Sequence, residues 1–232
     1  MKFVIRYLKV FLKIVLIILV LYLLLNKSNI EGIQKFLKDK NVCNELYVNK
    51  NNKKVFVFKK LLSSDMCKSI IREGEDYAKF NGWTTKRHES YPTTDNEITS
   101  EWNTYNYISN KVHDVLFMKL QEMYNVDKNE LGINELFIAK YQFRKNKQKG
   151  LKKHTDGSEF SFIISLNDNF KGGGTYFTEL DKKYHLAEGD CILFSGQNPH
   201  KGIDVSEGTR YILTGFINYM SQDYCQDLLT KN

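Results

Sequence analysis

Prolines are scarce in this chain, with two among 232 residues, and there is no internal repeat or low-complexity block. Apolar residues still make up 42%, so the abundance of Lys and Asn does not describe a disordered chain. Also missing are a Cys-x-x-Cys pair and any Cys/His cluster, which removes a structural zinc site. The four cysteines, Cys43, Cys67, Cys191 and Cys225, are compatible with two disulfides whose pairing the sequence leaves open. Cys191 lies in an apolar run, where a buried free thiol is an equally good reading.

Residues 61–232 lack positive charge. They hold 21 Lys/Arg against 24 Asp/Glu, whereas residues 1–60 hold 13 against 3. The net charge of +7 therefore belongs to the N-terminal part, and a nucleic-acid-binding domain is excluded. In residues 1–25, Lys2, Arg6, Lys9 and Lys13 precede a run that is apolar apart from the Tyr22 hydroxyl. Counted from Phe3, the stretch is long enough for a bilayer, which needs about 20 residues. Leu23-Leu24-Leu25-Asn26-Lys27 offers no small residues for cleavage. An uncleaved signal anchor is therefore favoured over a cleaved signal peptide or an interfacial amphipathic helix. Charges ahead of the apolar run keep the N-terminus cytoplasmic and put the rest in a lumen or outside the cell. Residues 26–54 are expected to form a polar stalk, with a short helix around 30–38 and an unused glycosylation sequon at Asn26.

Residues 55–232 read as one domain, with a helical lead-in over 55–133 and a strand-rich core over 134–220. A strand is predicted at 55–58. A helix follows to about residue 80, capped by Ser63, Ser64 or Asp65, with apolar positions at Met66, Ile70, Ile71 and Tyr77. A second helix is predicted over 103–124, its stripe being Ile108, Val112, Val115, Leu116, Leu120 and Met123. Short β-type runs then appear at 136–143, 159–166, 174–178, 183–185, 190–194 and 210–217. Turn residues such as Gly172-Gly173-Gly174 and Glu188-Gly189-Asp190 separate them. Two helices followed by many strands predict an α+β protein whose core is a double-stranded β-helix, or jelly roll.

His154-Thr155-Asp156 is the pattern with chemical content. In a strand, positions i and i+2 share a face, so an imidazole and a carboxylate can reach one ion. Five histidines make such a triplet common by chance, and its weight comes from the residues downstream of it. His200 lies just after the strand predicted at 190–194. Two imidazoles and one carboxylate on one side of Fe(II) leave positions open for a bidentate co-substrate and O2. Arg210 opens the last strong strand, and Thr214 shares its face. A guanidinium grips a carboxylate through parallel hydrogen bonds and a hydroxyl adds another, which suits the distal carboxylate of 2-oxoglutarate.

In these residues the chain resembles the 2-oxoglutarate/Fe(II) hydroxylases of the procollagen prolyl 4-hydroxylase and lysyl hydroxylase group. The likeness runs over about residues 61–219 and is most specific over 151–216. Leu151-Lys-Lys-His154-Thr-Asp156-Gly-Ser-Glu-Phe160 and Ser165-Leu166-Asn167 resemble the lysyl hydroxylase iron-binding strand and its continuation. Gly172-Gly173-Gly174-Thr175-Tyr176-Phe177 resembles the glycine turn of both branches. Trp83 and Glu89-Ser-Tyr-Pro92-Thr-Thr-Asp95 resemble the lysyl branch, and Leu62-Ser-Ser-Asp-Met-Cys67 the group's first helix start. The resemblance implies His154, Asp156 and His200 as ligands of Fe(2+). It implies Arg210, Thr214 and Tyr141 around 2-oxoglutarate, O2 as second co-substrate, and ascorbate as reductant. Arg at position 210 follows the lysyl branch. The implied activity is hydroxylation of a peptidyl lysine or proline in a peptide or protein substrate, with succinate and CO2 released. The glycosyltransferase domains that precede this domain in animal lysyl hydroxylases are absent from the sequence.

Two other readings stand beside it: a jelly roll kept as a non-catalytic binding module, and a dioxygenase for a lipid or glycan. His88, His113 and His185 are expected to be packed or surface residues. The basic stretch 144–153 is expected to be a solvated loop. On the rim of the site it would favour an acidic substrate, against a lysyl one. Nothing in the sequence sets an oligomeric state.

Overall fold

The computed structural model describes residues 45–48 and 54–220. The anchor at 1–25, the helix around 30–38, the sequon, Cys43 and Cys225 lie outside the described residues. Among the described residues no helix is long and apolar enough to cross a membrane.

Strands β1 (Glu45–Val48) and β2 (Lys54–Phe58) form an antiparallel pair. This differs from the polar stalk expected up to residue 54, because β1 is stitched into the main sheet. Helix α1 (Ser64–Asn81) begins at Ser63, whose hydroxyl accepts the Met66 amide at 3.3 Å and so satisfies one unpaired donor of the first turn. Its buried face is Cys67, Ile70 and Gly74, rather than the expected stripe through Met66, Ile71 and Tyr77. The helix is turned so that Gly74 meets Ile138, where an added Cβ would lie 3.0 Å from the Ile138 side chain. Tyr77 is left exposed against the Trp102 ring.

The second helix is α2 (Tyr105–Lys111), a π-turn (Val112–Phe117) and α3 (Met118–Tyr124) in succession. Ile108, Val112, Leu116, Leu120 and Met123 are buried as expected, while Val115 is half-buried. The wider π-turn carries Phe117 into the core beside Leu116.

The remaining strands are β3 (Asp95–Glu97), β4 (Leu131–Gln142), β5 (Leu151–His154), β6 (Phe160–Ser165), β7 (Lys171–Gly172), β8 (Thr175–Phe177), β9 (Lys182–Tyr184), β10 (Cys191–Ser195), β11 (His200–Gly202), β12 (Val205–Glu207) and β13 (Thr209–Tyr219). Most of the predicted runs are present, shifted by a residue or two at their ends, and β4 begins five residues early. The main sheet has the order β1-β2-β10-β6-β13-β4-β3 and the smaller one β5-β11-β8-β9, with β12-β7 as a separate pair. The fold is a jelly roll. Its inner core joins the two sheets through Val57, Phe137, Ile163, Phe177, Tyr184, Ile192 and Phe194. On the other face of the main sheet, Glu75 of α1 bonds Lys140 at 2.6 Å and accepts from the Tyr211 hydroxyl.

Cys67 and Cys191 are buried free thiols. This corrects the option of two disulfides and agrees with the free-thiol reading of Cys191. Burial pushes the Cys67 thiol up to about 12 and the Cys191 thiol well above its usual range, so both are unreactive packing groups.

Candidate metal centre

His154 ends β5 and His200 begins β11, and the two are direct cross-strand partners in the antiparallel register. That pairing alone puts both imidazoles on one face, with ring centroids 4.3 Å apart. Asp156 arrives differently from the sequence expectation. The strand stops at His154, and the chain bends so that the Asp156 amide bonds the Gly196 carbonyl at 2.8 Å. A bend, rather than strand alternation, swings the carboxylate inward. Its Oδ1 lies 3.3 Å from His154 Nε2 and 3.8 Å from His200 Nε2.

Each histidine has its other ring nitrogen occupied. His154 Nδ1 lies 2.8 Å from the Lys152 carbonyl and His200 Nδ1 lies 2.9 Å from that of Asn198. A carbonyl can only accept, so each Nδ1 carries a proton, and the neutral form of each imidazole presents its Nε2 lone pair toward Asp156, while protonated His154 donates to it. Phe177 and Phe194 pack around His200 with centroids at 5.6 and 4.9 Å, and Tyr91 lies against His154 at 5.0 Å.

The electrostatics follow from this enclosure. Burial works against charge on His154, but its bonds to Asp156 and the Lys152 carbonyl outweigh it and raise the imidazole. Burial also works against the Asp156 carboxylate, yet hydrogen bonding from His154 and the charge of His200 hold it below the usual range. Burial lowers His200, more than Asp156 raises it. Three donor atoms within 4.8 Å of one another, two neutral nitrogens and an anionic oxygen, fit a divalent first-row ion, whose ligands sit about 2 Å from it.

Around the triad is a cavity of about 370 Å³ that is also lined by Tyr141, Arg210 and Thr214. All six residues singled out in the sequence therefore meet in one space. Arg210 and Tyr141 are cross-strand partners on β13 and β4. Arg210 is 3% exposed. Its one hydrogen bond among the described residues runs 3.4 Å to the Gly174 carbonyl, and the guanidinium lies 5.8 Å from the Tyr141 ring centroid. No carboxylate of the described residues pairs with it. Burial lowers Arg210 and pushes the Tyr141 phenol up to about 12. A buried guanidinium left in this state is a built demand for an anion.

Gly173 and Gly174 make that placement possible. Both have left-handed backbone, with φ of 66° and 104°. A Cβ on Gly173 would press on Arg210 at 3.2 Å and one on Gly174 on the Tyr184 carbonyl at 2.7 Å. The glycine run is thus a close-packing device as well as a turn.

The sequence expectation missed the segment that closes the cavity's other side. His88, Glu89, Ser90, Tyr91 and Thr93 all line it, whereas His88 was expected to be an ordinary packed or surface histidine. Its ring does pack, 5.0 Å from Phe137, but its buried Nε2 has no hydrogen-bond partner. His113 and His185 are exposed and away from the cavity, as expected. The segment is a loop without periodicity, so only the motif around Pro92 could have drawn attention to it.

No family model matches the sequence. The chain is 27% identical over 173 residues to the multifunctional procollagen lysine hydroxylase and glycosyltransferase of Caenorhabditis elegans, covering 68% of this chain and 23% of that protein. It is 26% identical over 203 residues to human procollagen-lysine,2-oxoglutarate 5-dioxygenase 2, covering 75% of this chain and 26% of that one. The chain resembles the procollagen hydroxylases. It spans about a quarter of the length of these curated procollagen-lysine hydroxylase relatives. Among solved structures, the collagen prolyl hydroxylase of Paramecium Bursaria Chlorella virus-1, in its 2OG complex, superimposes with a TM-score of 0.55 at 15% identity. That match covers 72% of this chain and 96% of that one. A Pseudomonas putida prolyl-4-hydroxylase gives 0.57 at 15% identity, over 72% and 93%. The likeness to the prolyl hydroxylase structures establishes a shared fold.

Proposed function

We propose that this chain is an iron(II)- and 2-oxoglutarate-dependent dioxygenase that hydroxylates a peptidyl lysine or proline, the lysyl substrate being preferred. One observation carries the reading. A His154/Asp156/His200 donor set whose two Nε2 atoms converge on the Asp156 carboxylate shares a cavity with a buried Arg210 that no carboxylate of the described residues pairs. His154, Asp156 and His200 would hold the iron. Iron(II) with bound 2-oxoglutarate supplies oxidative decarboxylation to succinate and CO2 coupled to insertion of oxygen into a C–H bond.

The chain's own residues do the rest. Arg210 fixes one end of the co-substrate by charge and direction, with the Thr214 hydroxyl on the same strand face and the Tyr141 phenol opposite. The carbonyls of Lys152 and Asn198 hold the Nδ1 protons and orient both rings, so each imidazole in its neutral form offers Nε2 to the ion. Phe177 and Phe194 keep water from His200. Ascorbate would serve as reductant. Residues 1–25 would tether the domain to a membrane as a signal anchor, with the catalytic part lumenal or extracytoplasmic.

Incubation of the purified chain with iron(II), 2-oxoglutarate and collagen-like Lys or Pro peptides should release succinate and give a product heavier by one oxygen atom. Succinate without product from either peptide would overturn the substrate. No succinate at all, with His154→Ala behaving like the parent, would overturn the enzyme and favour a non-catalytic module.

A further inference from the structure

Beside the His154/Asp156/His200 triad, two charged side chains line the cavity: Arg210, which is buried, and Glu89, which is exposed. Glu89 makes no hydrogen bond or ion pair with the described residues. Its neighbour Arg87 offers it no cancellation, because that guanidinium is bound to Asp95 at 2.8 Å and Glu135 at 3.3 Å. The basic stretch 144–153 offers none in the cavity either, since Leu151 is its one residue in the lining. An acidic substrate therefore loses the support that this loop would have given from the rim.

Beside Glu89 stands Tyr91. Its ring lies on His154, tilted 32° with centroids 5.0 Å apart, and 40% of it remains exposed. This aromatic surface therefore lies in the cavity lining directly against His154. The segment is held in place rather than loose. The Thr84 and Asp95 backbones are bridged, the Thr93 hydroxyl donates to Asp95, and Gln148 donates to the Pro92 carbonyl at 2.9 Å. An uncancelled carboxylate next to an open aromatic face is the pairing that receives an alkylammonium.

We propose that Glu89 and Tyr91 form the specificity site for the substrate side chain, selecting a primary alkylammonium over a neutral or acidic group of the same length. This rests on the peptidyl substrate proposed above and adds the residues that read its charge. Glu89 binds the ammonium. Tyr91 guides the methylene chain past His154 and contributes its ring face.

The test uses the full chain in detergent, loaded with iron(II) and 2-oxoglutarate without oxygen. Two collagen-like peptides are compared by calorimetry, identical except that one carries lysine where the other carries norleucine. The parent should bind the lysyl peptide tighter by about fivefold. Glu89→Gln should erase that preference, and Glu89→Lys should reverse it. Equal binding of both peptides by the parent, or a preference that survives Glu89→Gln, overturns the proposal. Product formation in air is scored separately. Charge selectivity without hydroxylation would sink the proposed reaction and leave this site standing, while hydroxylation with unchanged Glu89→Gln selectivity would do the opposite.

Discussion

The two faces of the main sheet obey different rules, and β13 belongs to both. Arg210, Ile212, Thr214 and Phe216 point into the cavity, whereas Tyr211 and Leu213 alternate toward the helices, where Tyr211 meets Trp83 and Glu75. On the helix side, polar groups are answered. Lys140, Tyr211 and Glu75 satisfy one another around apolar packing of Ile138 on Gly74. On the cavity side, Arg210 has no carboxylate partner among the described residues, and His154 and His200 share the single Asp156 carboxylate. One face is arranged for stability. The other carries uncompensated polarity that stability alone would remove.

Substitutions should separate the two faces. The largest effect belongs to His154→Ala, expected to cut succinate release by about 100-fold or more. Its unfolding temperature should fall only slightly, because the contact with Asp156 is lost but no core packing is. Destabilisation on the scale of a core deletion would break the comparison. Next is Leu213→Ala on the helix face, expected to cost about 2–5 kcal/mol in urea unfolding. Its folded fraction should keep the parent's succinate release per molecule. Arg210→Met sharpens the contrast most directly. Thermal melts should show the free protein stabilised by about 1 kcal/mol or more, as a buried unpaired charge is removed, and 2-oxoglutarate should no longer raise the melting temperature. Loss of stability in Arg210→Met would mean that the guanidinium supports the fold. Ser63→Ala is the smallest, about 1 kcal/mol in unfolding from the lost α1 cap, with 2-oxoglutarate binding unchanged.

The same division explains what could be read from the sequence. Strands with continuous apolar runs, such as β6 and β10, and the stripe from Ile108 to Met123 follow from periodicity, because their side chains enter a core. His200 and Arg210 were visible because each sits beside such a run, and His154 through its His-x-Asp spacing. Less visible were β3, β7, β11 and β12, all two or three residues long, where no period can register. Asp156 was the right residue for the wrong local reason, a bend having done the work assigned to a strand. The cavity's outer wall, from His88 to Thr93, is tied down by Gln148, whose side chain reaches the Pro92 carbonyl and the Thr94 amide from a distant part of the chain. Such ties are set by tertiary contact and leave no local pattern.

The order of strands in the main sheet also dictates when the chain can fold. β2 lies between β1 and β10, and Phe58 waits for Cys191 to pair with it. β4 finds its long partner only in β13, and β6 lies between β10 and β13. Synthesis therefore yields lone edges until the last strands emerge, and the contacts that close the sheet span most of the domain. A nascent chain stopped before residue 209 would lack β13, the strand that joins β6 to β4, together with Arg210. Completion of the sheet and burial of Arg210 are thus a single event, so a partly made protein would lack the proposed anion site.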